Sequence, residues 1–187
     1  MRFGSSGAER GMTGRFSWLS VDTVEWTGTT GAEEVLATID WLERQGITYQ
    51  INGGWAVDAL IGRQTRTHRD LDVFVDAAMV PGLVDELERR GYVVAEDWAP
   101  VRVELVGSRG CMDVHPMVLR AEGDGVQSGL DGGEFIHAAK DRTTGTIHGR
   151  TVVVANAERL RELRSGYELR AEDRHDLLLL ENLIDHG

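Results

Sequence analysis

Apolar positions recur along the chain with two different spacings, and the two spacings predict a mixed α/β fold. Apolar residues between Val35 and Leu42 recur at helical spacing, which predicts an amphipathic helix that ends at Gly46. Thr30 and Glu33 have the spacing of a capping box at its start. The other predicted elements are helices over 55–61, 80–90 and 172–185, a further helix capped by Asn156, and strands over 47–51, 70–75, 92–96, 101–106, 111–114 and 151–154.

The same patterns divide the chain into an extension and one domain. Residues 1–30 lack sustained periodicity, so we expect them to form a flexible amino-terminal extension. Residues 31–187 form the predicted domain, with carboxy-terminal helices from about residue 156. Residues 123–133 are rich in glycine and are expected to form a loop.

The composition is that of an acidic, globular protein. The chain has 20 Lys and Arg residues against 31 Asp and Glu residues, so its formal net charge is −11. A general nucleic-acid binder needs the opposite charge, which argues against DNA or RNA as a partner. We expect a cytoplasmic protein with no membrane partner, because no apolar run is long enough to span a bilayer, residues 1–7 do not resemble a secretory signal, and the single cysteine, Cys111, cannot form an internal disulfide.

Two aspartates share one face of a predicted strand. In residues 70–75 the alternation puts three aliphatic side chains on one face and Asp70 and Asp72 on the other. Residues two apart on a strand are roughly 6.5 to 7 Å apart, which is close enough for both carboxylates to hold one hard cation. An edge strand with its charges in solvent explains this segment equally well when it is considered alone.

Two later strands repeat this pattern. Glu104 with Arg102, and Asp113 with His115, lie opposite aliphatic residues of their own strands. If these strands and the strand over 70–75 are neighbours in a sheet whose aliphatic face is covered by helices, all four carboxylates face one cleft. Four carboxylates repel one another unless cations lie among them, and Mg²⁺ prefers such oxygen ligands.

A glycine pair and an arginine-rich loop precede the aspartates. Gly53 and Gly54 follow a predicted strand and precede a helix, where backbone N–H groups can bind a phosphate. Arg66 and Arg69 lie in the polar loop over 63–69 and are candidates for phosphate contacts. A simple turn is the commoner role of a glycine pair, and a solvated loop would also explain the arginines.

Taken together, these motifs resemble those of a known enzyme superfamily. The glycine pair, the sequence Asp70-Leu71-Asp72 and the later Asp113 are similar to the active-site motifs of the DNA-polymerase-β-like nucleotidyltransferases. The resemblance implies the minimal nucleotidyltransferase fold, a mixed β-sheet backed by helices, with carboxy-terminal helices closing one side of the cleft.

Longer segments resemble the antibiotic-modifying branch of that superfamily. This branch is indicated by residues 53–58 and 66–72, and the lincosamide nucleotidyltransferases in particular by residues 98–104, 112–116 and 165–169. The aminoglycoside 2''-nucleotidyltransferases are the next most similar group. The resemblance covers roughly residues 32–184 and leaves the amino-terminal extension outside.

The resemblance implies a reaction and roles for the candidate residues. The reaction is transfer of a nucleoside monophosphate, AMP from ATP or the nucleotide of another triphosphate, to a hydroxyl of a small antibiotic, which confers resistance. Two Mg²⁺ ions are expected, held by Asp70, Asp72 and Asp113, and either Glu104 or Asp113 would accept the hydroxyl proton. The remaining implied contacts are to the nucleotide, by Gly53, Gly54, Arg66 and Arg69, and to the antibiotic, by Trp98, Arg102, His115 and Tyr167.

The sequence leaves the substrate open among three alternatives. The motifs favour a lincosamide, whereas the net charge of −11 alone would suit the more highly charged aminoglycosides better. A regulatory or antitoxin-like protein that acts on a protein partner is the third alternative, although the three aspartates argue against an inactive enzyme. Homodimer formation is left open.

Overall fold

A computed structural model of the chain describes residues 26–165 and 167–186. Most of the predicted extension over 1–30 lies outside the described residues, so this boundary stays a prediction. The first described residues contact the domain: the Trp26 Nε1–H donates to the Arg69 carbonyl over 2.9 Å, and the Thr30 hydroxyl donates to the same carbonyl over 2.8 Å.

The chain combines helices with a run of consecutive strands, which confirms the predicted mixed α/β fold. The helices are α1 (Ala32–Arg44), α2 (Gly53–Ile61), α3 (Val80–Arg89), α4 (Ala157–Glu162) and α5 (Ala171–His186). The strands are β1 (Tyr49–Ile51), β2 (Leu71–Asp76), β3 (Val93–Trp98), β4 (Arg102–Gly107), β5 (Gly110–Leu119), β6 (Gly125–Ser128), β7 (Glu134–His137), β8 (Arg142–Ile147) and β9 (Arg150–Ala155).

The strands form one mixed sheet in the order β3-β4-β5-β2-β1-β9-β8. Strand β2 lies near its centre, parallel to β5 and antiparallel to β1, and β4 is antiparallel to β5. Strands β6 and β7 continue from the end of β5 as a hairpin. Since β2, β5 and β4 are direct neighbours, residues at matching positions of these three strands lie side by side.

The alternation in the sequence separates the two faces of the sheet. Leu71, Val73 and Val75 of β2 are fully buried, and they share one apolar core with Val35 and Ile39 of α1. Burying these side chains drives helix and sheet together, at roughly 25 cal/mol for each Å² of apolar surface removed from water. The polar side chains of the same strands therefore point to the opposite face, where helices leave a cleft.

Helix α1 begins differently from the capping-box prediction, which is wrong. Gly31 is its N-cap and supplies no side chain, while Thr30 turns away from the helix. The Thr30 hydroxyl accepts a hydrogen bond from the Cys111 backbone N–H over 2.9 Å and donates to the Arg69 carbonyl. Thr30 therefore fastens the segment before α1 to the sheet, and this contact outweighs local capping.

The predicted loop over 123–133 is also partly wrong, because β6 lies within it. Gly125 opens this strand and pairs with Leu119 of β5. A Cβ atom at Gly125 would overlap the side chain of Met117, so glycine is needed here for close packing between strands. By contrast, the cap at Asn156 is confirmed, since its Oδ1 accepts from the Arg159 N–H over 2.9 Å.

No helix among the described residues combines the length and apolar character that crossing a membrane would require. The cytoplasmic location stays a prediction.

Candidate active site

A row of carboxylates crosses four neighbouring strands on the open face of the sheet. Asp72 of β2 is in register with Asp113 of β5, Asp113 with Glu104 of β4, and Glu104 with Glu96 of β3. Neighbouring strands lie about 4.8 Å apart, so each carboxylate stands directly beside the next. Asp113 and Glu104 are buried, while the Asp72 side chain is 31% exposed at the cleft.

Asp70, predicted as the first residue of the strand, directly precedes β2 and is turned toward a different partner. Its Oδ2 accepts from Arg69 Nη1 over 2.6 Å, and Arg69 Nη2 donates to Glu104 Oε1 over 2.9 Å. The tightest group is instead Asp72, Asp113 and His115, each of which offers a ligand atom within 4.8 Å of the other two. The structure thus brings Asp72 and Asp113 together, and it joins Asp70 to Glu104 through Arg69.

The electrostatics of this row suit a divalent cation. Burial raises the pKa of Asp113 to about 6; the nearby His115 opposes this shift and the Asp72 carboxylate adds to it. Burial, followed by repulsion from Asp72, also raises the pKa of Asp70. Burial acts in the same direction on Asp72, but His115 holds the pKa of Asp72 below its ordinary value.

A free oxygen on Asp113 also fits a cation. Asp113 Oδ1 is buried and has no hydrogen-bond partner within residues 26–165 and 167–186, while Oδ2 accepts from Arg102 over 2.7 Å. Together with the carboxylate of Asp72 it offers the oxygen donors that Mg²⁺ prefers. The residues present therefore fit a divalent metal ion.

The glycine pair lies against this row because no larger residue fits. Gly53 opens α2 with φ +61°, in the left-handed region, and a Cβ atom there would overlap Asp72 Oδ2. A Cβ atom at Gly54 would overlap Arg66 Nη2 and His68 Nδ1. The amino terminus of α2, with its free N–H groups, therefore lies between the aspartates and the arginine-rich loop.

Arg66 ties that loop to the carboxy-terminal helix α5. Its guanidinium donates to both carboxylate oxygens of Asp176 over 2.9 and 2.8 Å, and Arg164 donates to Asp176 Oδ2 over 2.8 Å. Although burial acts to raise it, the two guanidinium groups hold the pKa of Asp176 below its ordinary value. The carboxy-terminal helices thus close one side of the cleft through a buried ion-paired group.

Asp58 holds the other end of the same loop. Its Oδ1 accepts from the Thr65 N–H over 3.0 Å, and its Oδ2 lies 2.5 Å from His68 Nε2. Asp58 and His68 are each only 2% exposed. They therefore shape the loop from beneath, and His68 is not free to contact a ligand through Nε2.

The cleft between the sheet and these helices has a volume of about 870 Å³. It is lined by eight carboxylates and five arginines, so its walls carry a net negative charge. Asp72, Glu96, Glu104 and Asp113 lie on the sheet with Arg102 alone, whereas Arg66, Arg164 and Arg170 lie with Glu172, Asp173 and Asp176 on the side of the loop and the carboxy-terminal helices. The excess negative charge is therefore on the sheet, which suits cations there.

Comparison with known proteins agrees with this geometry. The model of the aminoglycoside-2''-adenylyltransferase family matches residues 34–180. A lincosamide resistance protein of Staphylococcus haemolyticus is 31% identical over 152 residues, which cover 81% of this chain and 94% of the relative. The chain belongs to this nucleotidyltransferase family.

Further relatives agree with the assignment. A crystal structure of a lincosamide antibiotic adenylyltransferase with lincomycin bound superposes with a TM-score of 0.77 at 30% identity, covering 83% of this chain and 99% of the other. An aminoglycoside enzyme in complex with adenylyl-2''-tobramycin shares the fold, with a TM-score of 0.65 at 18% identity, over 82% and 88% of the two chains. A 2''-aminoglycoside nucleotidyltransferase of Klebsiella pneumoniae is 35% identical over 86 residues, 46% of this chain and 38% of that protein.

The structure divides the residues predicted to contact the antibiotic into two groups. Tyr167, His115 and Arg102 line the cleft of the nucleotidyltransferase, and Arg102 pairs with Asp113, Glu104 and Glu96. Trp98 does not line it. The Trp98 ring lies on β3, 45% exposed, with the Arg102 guanidinium carbon 4.6 Å from its centroid.

Several polar lining residues were not predicted as site residues, among them Asn52, Glu96, Arg164 and Arg170. Asn52 directly precedes the glycine pair, and its buried Nδ2 has no hydrogen-bond partner among the described residues, so its position beside the motif was an available signal. Glu96 continues the carboxylate row by one strand. Arg164 and Arg170 reach the cleft only through the packing of α4 and α5, for which the sequence has no local signal.

A buried histidine beneath the cleft makes stability depend on pH. Burial lowers the pKa of His137 to about 4, whereas an unfolded histidine titrates near pH 6.5. Between pH 6.5 and pH 4 the imidazole of His137 binds a proton in the unfolded chain but not in the folded chain. The free energy of unfolding therefore falls as the pH falls through this range, by about 3 kcal/mol for this group. His137→Gln keeps a donor at this position but does not titrate.

We therefore expect the free energy of unfolding of the wild type to decline more steeply between pH 6.5 and pH 4 than that of His137→Gln. Urea unfolding at a series of pH values measures both slopes, and the carboxylates contribute equally to the two proteins. Equal slopes would show that folding does not lower the pKa of His137.

Proposed function

We propose that this nucleotidyltransferase uses ATP and Mg²⁺ to adenylylate a hydroxyl group of a lincosamide antibiotic, and thereby confers resistance. The observation that carries the proposal is the row of Asp72, Asp113 and Glu104 beside the glycine-rich start of α2. The match to a lincosamide resistance protein over 94% of its length supports the choice of drug.

The nucleotide would lie with its triphosphate at the amino terminus of α2. Gly53 and Gly54 leave room for a phosphate beside the backbone N–H groups, and Arg66 stands next to Gly54. Arg69 is 47% exposed and able to turn toward a phosphate. These groups supply positive charge on one side of the triphosphate, and they orient it.

Asp72 and Asp113 would hold Mg²⁺, and Asp70, which is paired with Arg69, would join them once Arg69 turns toward a phosphate. A bound divalent cation neutralises charge that builds up on the phosphate oxygens in the transition state. The chain prepares this place by gathering carboxylates whose mutual repulsion a cation relieves, and by leaving Asp113 Oδ1 free of hydrogen bonds among the described residues.

Glu104 would accept the proton of the attacking hydroxyl. It lies beside Asp113 in the row, faces the cleft, and is outside the group of Asp72, Asp113 and His115 that could bind a cation. Arg102 donates to one of its oxygens, and the other is released when Arg69 turns toward the phosphate. Glu104 can therefore accept a proton without giving up a metal ligand.

The antibiotic would lie toward Tyr167, His115 and Arg102, with Trp98 at the rim behind Arg102. The excess of carboxylates over arginines in the cleft favours a drug that carries a protonated amine. This charge also suits aminoglycosides, which makes them the second candidate.

Incubation with ATP, Mg²⁺ and a panel of lincosamides and aminoglycosides, followed by mass spectrometry, tests the proposal. We expect an adenylyl increment on lincomycin and clindamycin and release of pyrophosphate. Transfer to kanamycin-type drugs with none to lincosamides would reverse the order of the two candidates. Absence of any drug product, with a protein partner labelled instead, would favour the regulatory alternative.

A further inference from the structure

Behind the carboxylate row, one glutamine connects two histidines. Gln127 of β6 is buried, with its Nε2 3.1 Å from His115 Nδ1 and its Oε1 3.1 Å from His137 Nε2. His115 in turn stacks on Phe74, with ring centroids 4.3 Å apart and planes inclined by 10°. The stacking fixes the plane of the His115 ring, and Gln127 meets its inner nitrogen.

The contacts of the Gln127 amide fix which of its ends faces which histidine. The end that meets His115 also lies 3.4 Å from the Val101 carbonyl oxygen. A carbonyl oxygen only accepts hydrogen bonds, so this end must be the NH₂ group, because the opposite orientation would place two oxygens against each other. The amide oxygen then faces His137, whose Nε2 must donate.

The orientation of the amide determines where His115 carries its proton. Since Gln127 donates to Nδ1, that nitrogen accepts, and the proton of the neutral ring lies on Nε2. His115 Nε2 is 3.7 Å from Asp72 Oδ1 and 3.7 Å from Asp113 Oδ2. Neither distance is that of a hydrogen bond, and Nε2 has no partner among the described residues, so the N–H group points between the two carboxylates without bonding to either.

We propose that Gln127 is a positioning residue, which fixes His115 as the Nε2–H tautomer so that this ring presents its N–H group between Asp72 and Asp113. In this arrangement His115 orients the two carboxylates and does not ligate a cation through Nε2. The three side chains could otherwise be taken for a three-ligand metal site, since their ligand atoms lie within 4.8 Å of one another. The catalytic consequence rests on the proposed function, whereas the tautomer is a property of the protein alone.

Nitrogen NMR of the histidine side chains tests the tautomer directly, because protonated and unprotonated ring nitrogens resonate far apart. In the wild type we expect His115 to carry its proton on Nε2, both without metal and after Mg²⁺ is added. A proton on Nδ1, or loss of the Nε2 proton when Mg²⁺ binds, would overturn the proposal. Neither measurement requires a drug substrate.

Two substitutions at the same position separate positioning from packing. Gln127→Glu keeps the size but offers only acceptors to Nδ1, so His115 should carry a proton there. Gln127→Met removes all three hydrogen bonds of the amide and keeps a side chain of similar length. With the drug that the wild type modifies, we expect kcat to fall about 10- to 100-fold in both, as for other residues that orient metal ligands, with little change in the KM for ATP. Ser128→Ala, on the next residue of β6, is the control and should leave both constants unchanged.

The outcomes distinguish the proposal from its alternatives. If kcat falls in the Gln127 variants but the tautomer of His115 is unchanged, Gln127 acts only through packing. If Gln127→Glu keeps the wild-type kcat although the His115 proton has moved to Nδ1, the tautomer has no catalytic role. Either result overturns the proposal. If the wild type modifies no drug, the proposed function fails, but the nitrogen spectra of wild type and variants still decide whether Gln127 fixes the tautomer.

Discussion

Replacing Asp72 with asparagine should abolish nucleotidyl transfer while the protein stays folded. The variant loses a carboxylate that stands beside Asp113 and directly against Gly53. A bound divalent ion contributes several kcal/mol to the transition state, so losing one of its ligands should slow the reaction by at least about 10³-fold. The single-turnover rate with saturating ATP, Mg²⁺ and drug measures the loss.

Folding of the Asp72→Asn protein is checked by urea unfolding, which we expect near the wild-type midpoint, because the substitution also removes repulsion that helps to raise the pKa of Asp113. Asp85→Asn, an exposed substitution on α3 outside the cleft, is the matched control and should keep full activity. We expect Asp70→Asn to lose transfer as well, since its carboxylate precedes the same strand. Near wild-type turnover in Asp72→Asn would refute its assignment to the cation.

The faces of the strands could be predicted from the sequence because a strand has a side-chain period of two. Once Leu71 and Val73 are buried, Asp72 has to point to the other side, and the same holds for Asp113 beside Met112 and Val114. Which strands are neighbours does not follow from alternation. Their adjacency is a condition of the predicted cleft, and the register of Asp72 with Asp113 and of Asp113 with Glu104 fulfils it.

Contacts between distant segments could not be predicted. Strands β7 and β8 contain Phe135 and Ile136 in exposed positions and three threonines, so they lack the alternation that identifies a half-buried strand. The pairing of Arg66 with Asp176 joins residues 110 positions apart. Gln127 lies in a segment whose glycines indicate a loop, and its contacts to His115 and His137 arise only when β6 pairs with β5 and β7.

The arginines around the carboxylate row explain how the chain folds with so many acids close together. Arg102 contacts Asp113, Glu104 and Glu96, and Arg69 contacts Asp70 and Glu104. The Arg102 guanidinium bridges carboxylates of neighbouring strands, and the Arg69 guanidinium bridges the loop and β4. Hydrogen-bonded ion pairs thus offset the repulsion between neighbouring carboxylates. Asp113 Oδ1 has no such partner among the described residues, and it is the oxygen that our proposal assigns to a cation.

The general base and the metal ligand should separate when Glu104→Gln is compared with Asp113→Asn. If Glu104 accepts the proton, an amide at this position cannot do so, and the chemical step should slow by roughly 10² to 10⁴-fold. Binding of the Mg²⁺-nucleotide should stay close to that of the wild type, because Glu104 lies outside the group formed by Asp72, Asp113 and His115. Asp113→Asn should weaken both nucleotide binding and the rate.

Nucleotide affinity by calorimetry and single-turnover rates by rapid quench give the two quantities for each variant. Glu96→Gln is the matched control for Glu104→Gln, since Glu96 lies next in the row and also accepts a hydrogen bond from Arg102. Its rate should fall much less than that of Glu104→Gln, because the proposal gives it no proton to accept. An unchanged rate in Glu104→Gln would transfer the role of base to Asp113. Equal losses in the two glutamine variants would instead mean that both carboxylates act by holding Arg102.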